Sequence, residues 1–321
     1  MESTDLVAIV AGGLSHERDV SLKSAKRVVR DLTAIGVDAR MYEADHSLLS
    51  RLSEDSVAAA LPTMHGDVGE DGALQTVLEL AAIPFVGAPS SSCRLAWDKA
   101  TARALVEPLV NVPQWVALPS ATFREFGSAQ IVDLLVERLG LPLVVKPNRG
   151  GSVLGVSGVT TADELPAALM RAYSYGSTAV IEHFFEGLDI SVAVIEKDGN
   201  PVALPPIGLH YHRDHQFDFA ARYEPALIDV ESPAKLADSV TAELQQEAVL
   251  AHQRLGLRDL SRSDFILASS GEHVMLETAI TPGMTETSLF PFACEAAAST
   301  LALELRELLE TAISRQAFTP R

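Results

Sequence analysis

The segment SRSDFILASSGEHVMLETAITPGMTETSL, residues 261–289, constrains the fold of this chain more than any other. Phe265 to Ala268 and His273 to Thr278 are short apolar-leaning runs separated by Ser-Ser-Gly, the pattern of a hairpin with its tight turn centred on Ser270 and Gly271. Antiparallel partners keep a constant sum of residue numbers. Ser269 is therefore expected opposite Glu272, Asp264 opposite Glu277, and Arg262 opposite Ala279. Two carboxylates then share one face. Like charges directly opposite each other destabilise a sheet, so the pair needs either open solvent or a compensating cation, and an all-oxygen ligand set suits magnesium. On these residues alone, a solvated surface pair and a metal site stand side by side.

With 321 residues, 47% of them hydrophobic, the chain is long enough for two or three domains with cores of their own. No apolar run approaches the roughly 20 residues of a membrane span, and the opening MESTD lacks the basic and apolar regions of a signal peptide. A cytoplasmic protein with no membrane partner is expected. The formal charge of -18 repels polyanions and argues against nucleic acid as a partner. Cys93 and Cys294 are far apart and fit no metal-ligand spacing, so buried reduced thiols are expected.

The first ~87 residues read as an open parallel sheet. Leu6 to Ala11 is an apolar run closed by Gly12-Gly13, a helix carries Ala25, Val28, Val29 and Leu32 on one face, and strands are expected at Ala39–Tyr42, Val57–Leu61 and Pro84–Val86, with a helix over Ala73–Ala82. Neither a dinucleotide fingerprint nor a P-loop is present. Polar residues gather where the strands end: Ser15, His16, Glu17 and Asp19 after the first, His65, Glu70 and Asp71 after the third. Asp19 can equally cap a helix beginning near Val20, and Glu70-Asp71-Gly72 can be a plain turn.

Two short helices flank Trp97-Asp98-Lys99, and a strand from Leu143 to Val145 delivers Lys146 to NRGGSVLGV, whose glycines bracket Ser152. A glycine-rich loop between two strands can fold over a nucleotide and offer N–H groups to phosphates, or be a simple flexible hairpin. Strands are expected at Ala179–Glu182 and Ile190–Ile195, the latter turning at Asp198-Gly199. His210, His212 and His215 read as loop residues, Ser232-Pro233 as the start of a long helix, and Glu295 to Ile313 as one final helix.

In this order, AGGLSHERDVSLKSA, LPTMHGDVGEDGALQTVLELAAIPFVG, WDK, VVKPNRGGSVLGV, FDFAARY, RSDF and PGMTETS resemble the D-alanine:D-alanine ligases of the ATP-grasp superfamily, over nearly the whole chain. The resemblance implies an α/β, three-domain ATP-grasp fold: an amino-terminal parallel-sheet domain over residues 1–87, a central subdomain with the glycine flap over 88–183, and a carboxy-terminal subdomain with the magnesium site over 184–321. It implies ATP and Mg2+ as cofactors, with Mn2+ able to replace Mg2+, small D-amino acids as substrates, a homodimer, and a role in peptidoglycan synthesis.

Carried over residue by residue, the family pattern makes Lys99, Lys146 and Gly151 phosphate ligands and gives Glu182, His183 and Phe185 the adenine and Asp189 the ribose. Asp264 and Glu277 become the metal ligands. Asp19 takes the first substrate's ammonium and His65 lies near its carboxylate. Ser152 and Tyr223 close the flap and loop, Arg262 and the Gly283 N–H face the tetrahedral oxyanion, and Arg222, Ser288 and Leu289 take the second carboxylate. Three positions depart from the family pattern: Ala279 stands where an asparagine ligand is usual, Asp19 where glutamate is usual, and Val153 where a flap serine is usual.

Overall fold

The computed structural model describes residues 5–151, 154–211 and 228–315, with nothing said of the Ser128 side chain. Its first layer is a parallel sheet. β1 (Val7–Ala11) is wholly buried because it lies in the middle, between β2 (Ala39–Glu43) and β3 (Ala59–Pro62). The helices α1 (Arg18–Ala34), α2 (Leu48–Glu54), α3 (Asp67–Glu70) and α4 (Ala73–Leu80) connect and cover it. The expected strand Pro84–Val86 amounts to one parallel bridge, Phe85 to Ala60. Proline brings no N–H to extend the ladder, and the Gly87 N–H is diverted to the Asp259 carboxylate at 2.7 Å.

The second layer follows α5 (Ser90–Trp97) and α6 (Lys99–Val106). It comprises β4 (Trp115–Pro119), α7 (Ser120–Glu125), α8 (Ser128–Leu139), β5 (Leu143–Pro147), β6 (Ser157–Val159), α9 (Leu165–Tyr173) and β7 (Thr178–His183). Its antiparallel sheet has the order β4-β7-β5-β6, and Leu135 and Leu139 of α8 with Leu165 and Leu169 of α9 pack against Val145 and Ile181. The glycine-rich loop joins β5 to β6, as the sequence indicates.

The third layer is β8 (Leu188–Lys197), β9 (Asn200–Ala203), β10 (Ile207–Tyr211), β11 (Ile228–Glu231), α10 (Asp238–Arg254), β12 (Leu260–Leu267) and β13 (His273–Ala279), followed by α11 (Leu289–Ala296) and α12 (Leu301–Ser314). The sheet order is β11-β10-β8-β12-β13, with β9 turning back on β8 at Asp198-Gly199. α12 returns to pack on α1, so Val28 and Leu32 share a core with Leu305, Leu309, Ile195 and Leu260. First and third layers are thereby one packed body at this contact. Both cysteines are buried and free, as expected, and among the described residues no helix is long and apolar enough to cross a membrane.

Several sequence expectations shift here. The long helix starts at Asp238 rather than at Pro233: the Ser232 hydroxyl donates to the Phe292 carbonyl at 3.2 Å instead of capping, and Ala234 N–H donates to the Pro206 carbonyl, which keeps the chain extended. The final helix is two, broken where Ala298 takes φ 58° and Thr300 caps α12 through the Leu303 N–H. His210 lies in a strand, paired with Asp229, rather than in a loop; His212 and His215 lie outside the described residues.

Candidate active site

The hairpin places its carboxylates as expected by a route the sequence does not show. Its turn holds three residues, Ser269 to Gly271, not two: Ala268 N–H donates to the Glu272 carbonyl and Gly271 takes φ 91°. Ile266 therefore pairs with Val274, one residue out of the expected register. A bulge at Leu276 then restores the pairing, so that Asp264 faces Glu277 and Arg262 faces Ala279. The extra residue is anchored, because the Leu276 carbonyl accepts from Arg103 Nη2 at 2.9 Å.

Arg262, Asp264, Glu277 and Ala279 all line one cavity of about 1160 Å³ that opens among the three layers. Asp264 is clamped by Arg262, Nε to Oδ1 at 2.9 Å and Nη2 to Oδ2 at 2.7 Å, and accepts from Ser191 Oγ at 2.9 Å. Lys99, at the start of α6, donates to the Gly150 carbonyl at 2.7 Å and stands 3.1 Å from Glu277 Oε2. One ammonium thus joins the glycine loop to the carboxylate hairpin. Enclosure pushes the Glu277 carboxyl up, but Lys99 and Lys146, with Arg262 behind them, more than offset this and hold it down at about 2.

Behind this wall Glu182 accepts from Arg103 Nη1 at 2.5 Å and from Lys146 Nζ at 2.8 Å, all three side chains being nearly fully buried. Burial alone would raise the Glu182 carboxyl, and the two cations bring it below the ordinary value. The structure therefore spends Lys146 and Glu182 on each other. Neither lines the cavity among the described residues, and neither do His183 and Phe185, whereas Asp189 and Gly151 do.

At the carboxyl end of β1 the structure replaces one expected residue by another. Asp19 is exposed on the first turn of α1 and does not reach the cavity; Glu17, two residues earlier, does. Glu17 is the N-cap residue just before α1, whereas Asp19 sits on the exposed side of the first turn. Glu70, buried, joins Glu17: a Cβ built on Gly151 would stand 3.4 Å from Glu17 Oε1 and 3.4 Å from Glu70 Oε2, which puts both carboxyls under the glycine loop. Burial raises both, Glu70 to about 8, its neighbour Glu17 adding to the effect. The departure read at Asp19 accordingly vanishes, since a glutamate is present where the cavity needs one. Glu17 and Glu70 were legible only as members of polar clusters at strand ends.

His65 also lines the cavity. Burial first, then the Arg262 charge, lowers its pKa to about 4, so it is neutral near pH 7, and its Nε2 has no hydrogen-bond partner among the described residues. On the far wall Gly283, Ser288 and Leu289 line the cavity. Gly283 and Ser288 approach closely: a Cβ on Gly283 would stand 2.8 Å from the Ser288 hydroxyl and force that side chain to shift. Ser152, Val153, Arg222 and Tyr223 lie outside the described residues.

Two antiparallel sheets that close a glycine loop and a carboxylate hairpin on a common cavity, beside a parallel-sheet layer, form the ATP-grasp fold, and the protein is an enzyme of the ligase class built on it. Solved structures agree: D-alanine--D-alanine ligase from Bacillus anthracis superposes with a TM-score of 0.81 at 27% identity over 96% of this chain and 97% of that one. VanG D-Ala:D-Ser ligase from Enterococcus faecalis also gives 0.81, at 26% identity over 96% and 99%. The family profile described as D-ala D-ala ligase C-terminus matches residues 107–312, and a D-alanine--D-alanine ligase from Syntrophobacter fumaroxidans is 36% identical over 96% of this chain and 97% of its own. The chain belongs to the D-alanine--D-alanine ligase family.

The donor set bears on the metal. Among the described residues no group of three or more His, Cys, Asp or Glu is arranged to hold an ion. Asp264 and Glu277 supply oxygen ligands only, and Ala279 beside them supplies none. That does not make a cage of protein ligands. It fits magnesium of the kind that takes one or two carboxylates and completes its shell with water and substrate phosphates.

Proposed function

We propose that this enzyme joins two D-alanines into D-alanyl-D-alanine with ATP and Mg2+, Mn2+ serving in its place, in the cytoplasm, as a step of peptidoglycan precursor synthesis. The observation that carries the reading is the cavity wall on which Lys99, Arg262, Asp264 and Glu277 meet under the glycine loop. Such a concentration of cations and carboxylates suits polyphosphate chemistry, which needs charge neutralisation and in-line positioning rather than a protein nucleophile. Relatives bearing the D-alanine--D-alanine ligase name over the full chain support the substrate.

In the proposed reaction a carboxylate oxygen of the first D-alanine attacks the γ-phosphorus of ATP, the bond to ADP breaks, and an acylphosphate forms. The free amine of the second D-alanine then attacks the acyl carbon, and phosphate leaves as the amide forms. Lys99 neutralises phosphate oxygens while holding the glycine loop through Gly150. Glu17, in place of Asp19, takes the first ammonium, and neutral His65 donates near the first carboxylate. Arg262 and the Gly283 N–H face the oxyanion, Ser288 and Leu289 the second carboxylate, and Asp189 the ribose. Asp264 and Glu277 hold the magnesium ion, which bound there supplies Lewis-acid neutralisation of the phosphates. Gly151 offers its N–H to the phosphates, Ser152 and Tyr223 close the flap and loop over the substrates, and Arg222 joins Ser288 and Leu289 on the second carboxylate. Lys146 acts through its field on Glu277 from behind the wall.

The units at 1–87, 88–183 and 184–321, and assembly as a homodimer, are part of the same proposal. Phosphate release from ATP across a panel of D-amino acids tests it: release that requires D-alanine is expected, and no release with any of them overturns the reading.

A further inference from the structure

The loop that carries Gly283 and Ser288 is held by a helix more than 250 residues earlier in the chain. On α1 the Ser24 hydroxyl accepts the Met284 N–H at 3.2 Å, both residues being buried, and Arg27 Nη1 donates to the Thr285 carbonyl at 2.6 Å. That same carbonyl accepts the Ser288 N–H at 3.1 Å, and the Ser288 hydroxyl in turn accepts the Thr285 N–H at 2.9 Å. Arg27 therefore ties α1 to the hydrogen-bonded Thr285–Ser288 turn through the carbonyl that Ser288 also uses. Its side chain, 12% exposed, also lies 3.3 Å from Asp31, 3.4 Å from Glu286 and 3.9 Å from Glu295, which balance the guanidinium without displacing it from the carbonyl. Arg27 lines the cavity as well.

We propose that Arg27 is a positioning residue for the second amino-acid subsite: by fixing the Thr285 carbonyl it sets where Ser288 meets the acceptor carboxylate. The inference rests on the acceptor role proposed above for Ser288. A charged donor to a carbonyl is stronger than a neutral one, and the planar fork of arginine holds several acceptors in one fixed geometry. Removing the fork leaves Ser288 bonded to its own turn but frees the turn to shift relative to the first layer. Because a shift on the order of 1 Å near reacting groups can cost about a hundredfold in rate, the acceptor site is sensitive to this anchor while the nucleotide wall, on β12 and β13, is not.

Steady-state kinetics of Arg27→Ala, Arg27→Lys and Ser24→Ala test this. Arg27→Ala is expected to raise KM for the second D-alanine about tenfold, a factor of about 1.4 kcal/mol, leaving KM for ATP and for the first D-alanine within about twofold; Arg27→Lys recovers part of the loss and Ser24→Ala moves KM the same way by less. An unchanged second KM in both alanine variants, or a uniform rise in every KM, overturns it. Hydrogen exchange of the 283–288 amides reads the clamp without turnover: faster exchange confined to that loop in Arg27→Ala supports the inference, and unchanged exchange refutes it. Failure of the functional reading shows separately, as absence of D-alanine-dependent phosphate release by the unmutated enzyme.

Discussion

Glu70→Gln should remove a loss of stability that the protein suffers as the pH rises from near 4.5 to about 8. Glu70 is 6% exposed, its Oε2 accepts the Gly66 N–H at 2.8 Å, and burial, opposed by that N–H and reinforced by Glu17, holds the carboxyl up at about 8. Below the ordinary value near 4.5 both folded and unfolded chains keep the proton. Above it the unfolded chain ionises while the folded chain does not, so stability falls by about 1.4 kcal/mol per pH unit until the folded carboxyl also ionises. Across that window the loss is on the order of 3–5 kcal/mol. Glutamine keeps an oxygen for Gly66 and cannot ionise. Urea titrations from about pH 5 to about pH 8 should show the two proteins diverging steadily, the variant being the more stable at the upper end. Equal pH slopes for the two proteins would refute the reasoning.

Arg103→Met breaks a buried ion pair and frees the bulge carbonyl at Leu276, so it should cost about 3–5 kcal/mol in urea unfolding, and a loss below about 0.5 kcal/mol would show that the Glu182 cluster does not hold the hairpin. Gly283→Ala drives a methyl to 2.8 Å from the Ser288 hydroxyl and should raise the second D-alanine KM well above any change in ATP KM; equal changes would count against the acceptor assignment. Ala279→Asn adds an oxygen on the metal-facing side opposite Arg262 and should tighten Mn2+ binding in the presence of ADP, read by the loss of the free-ion resonance signal. Unaltered Mn2+ affinity would place the ion away from that edge.

The local elements were the legible part of this fold. Buried parallel strands, the glycine loop and the Asp198-Gly199 turn follow from patterns that neighbouring residues impose on each other. The facing of Asp264 and Glu277 was right for a reason hidden from the sequence: a longer turn shifted the register by one and the Leu276 bulge shifted it back. Glu17 and Asp19 could not be separated without the helix start at Arg18, which decides which of them faces in. The ties of Arg103 to Glu182, Arg27 to Thr285 and Asp259 to Gly87 join residues 79 to 258 positions apart, and no periodicity or spacing carries such pairings. Lys146 reads as a phosphate ligand because a lysine before a glycine loop has that look; its 2.8 Å pairing with Glu182, 36 residues away, carries no such local sign.

The acylphosphate is the centre of this account, and an isotope tests it directly. With D-alanine labelled in both carboxylate oxygens with heavy oxygen, the phosphate released from ATP should carry one labelled oxygen for each dipeptide formed, because the carboxylate oxygen that attacks phosphorus leaves with it. Dipeptide formation with phosphate free of label would contradict the mechanism.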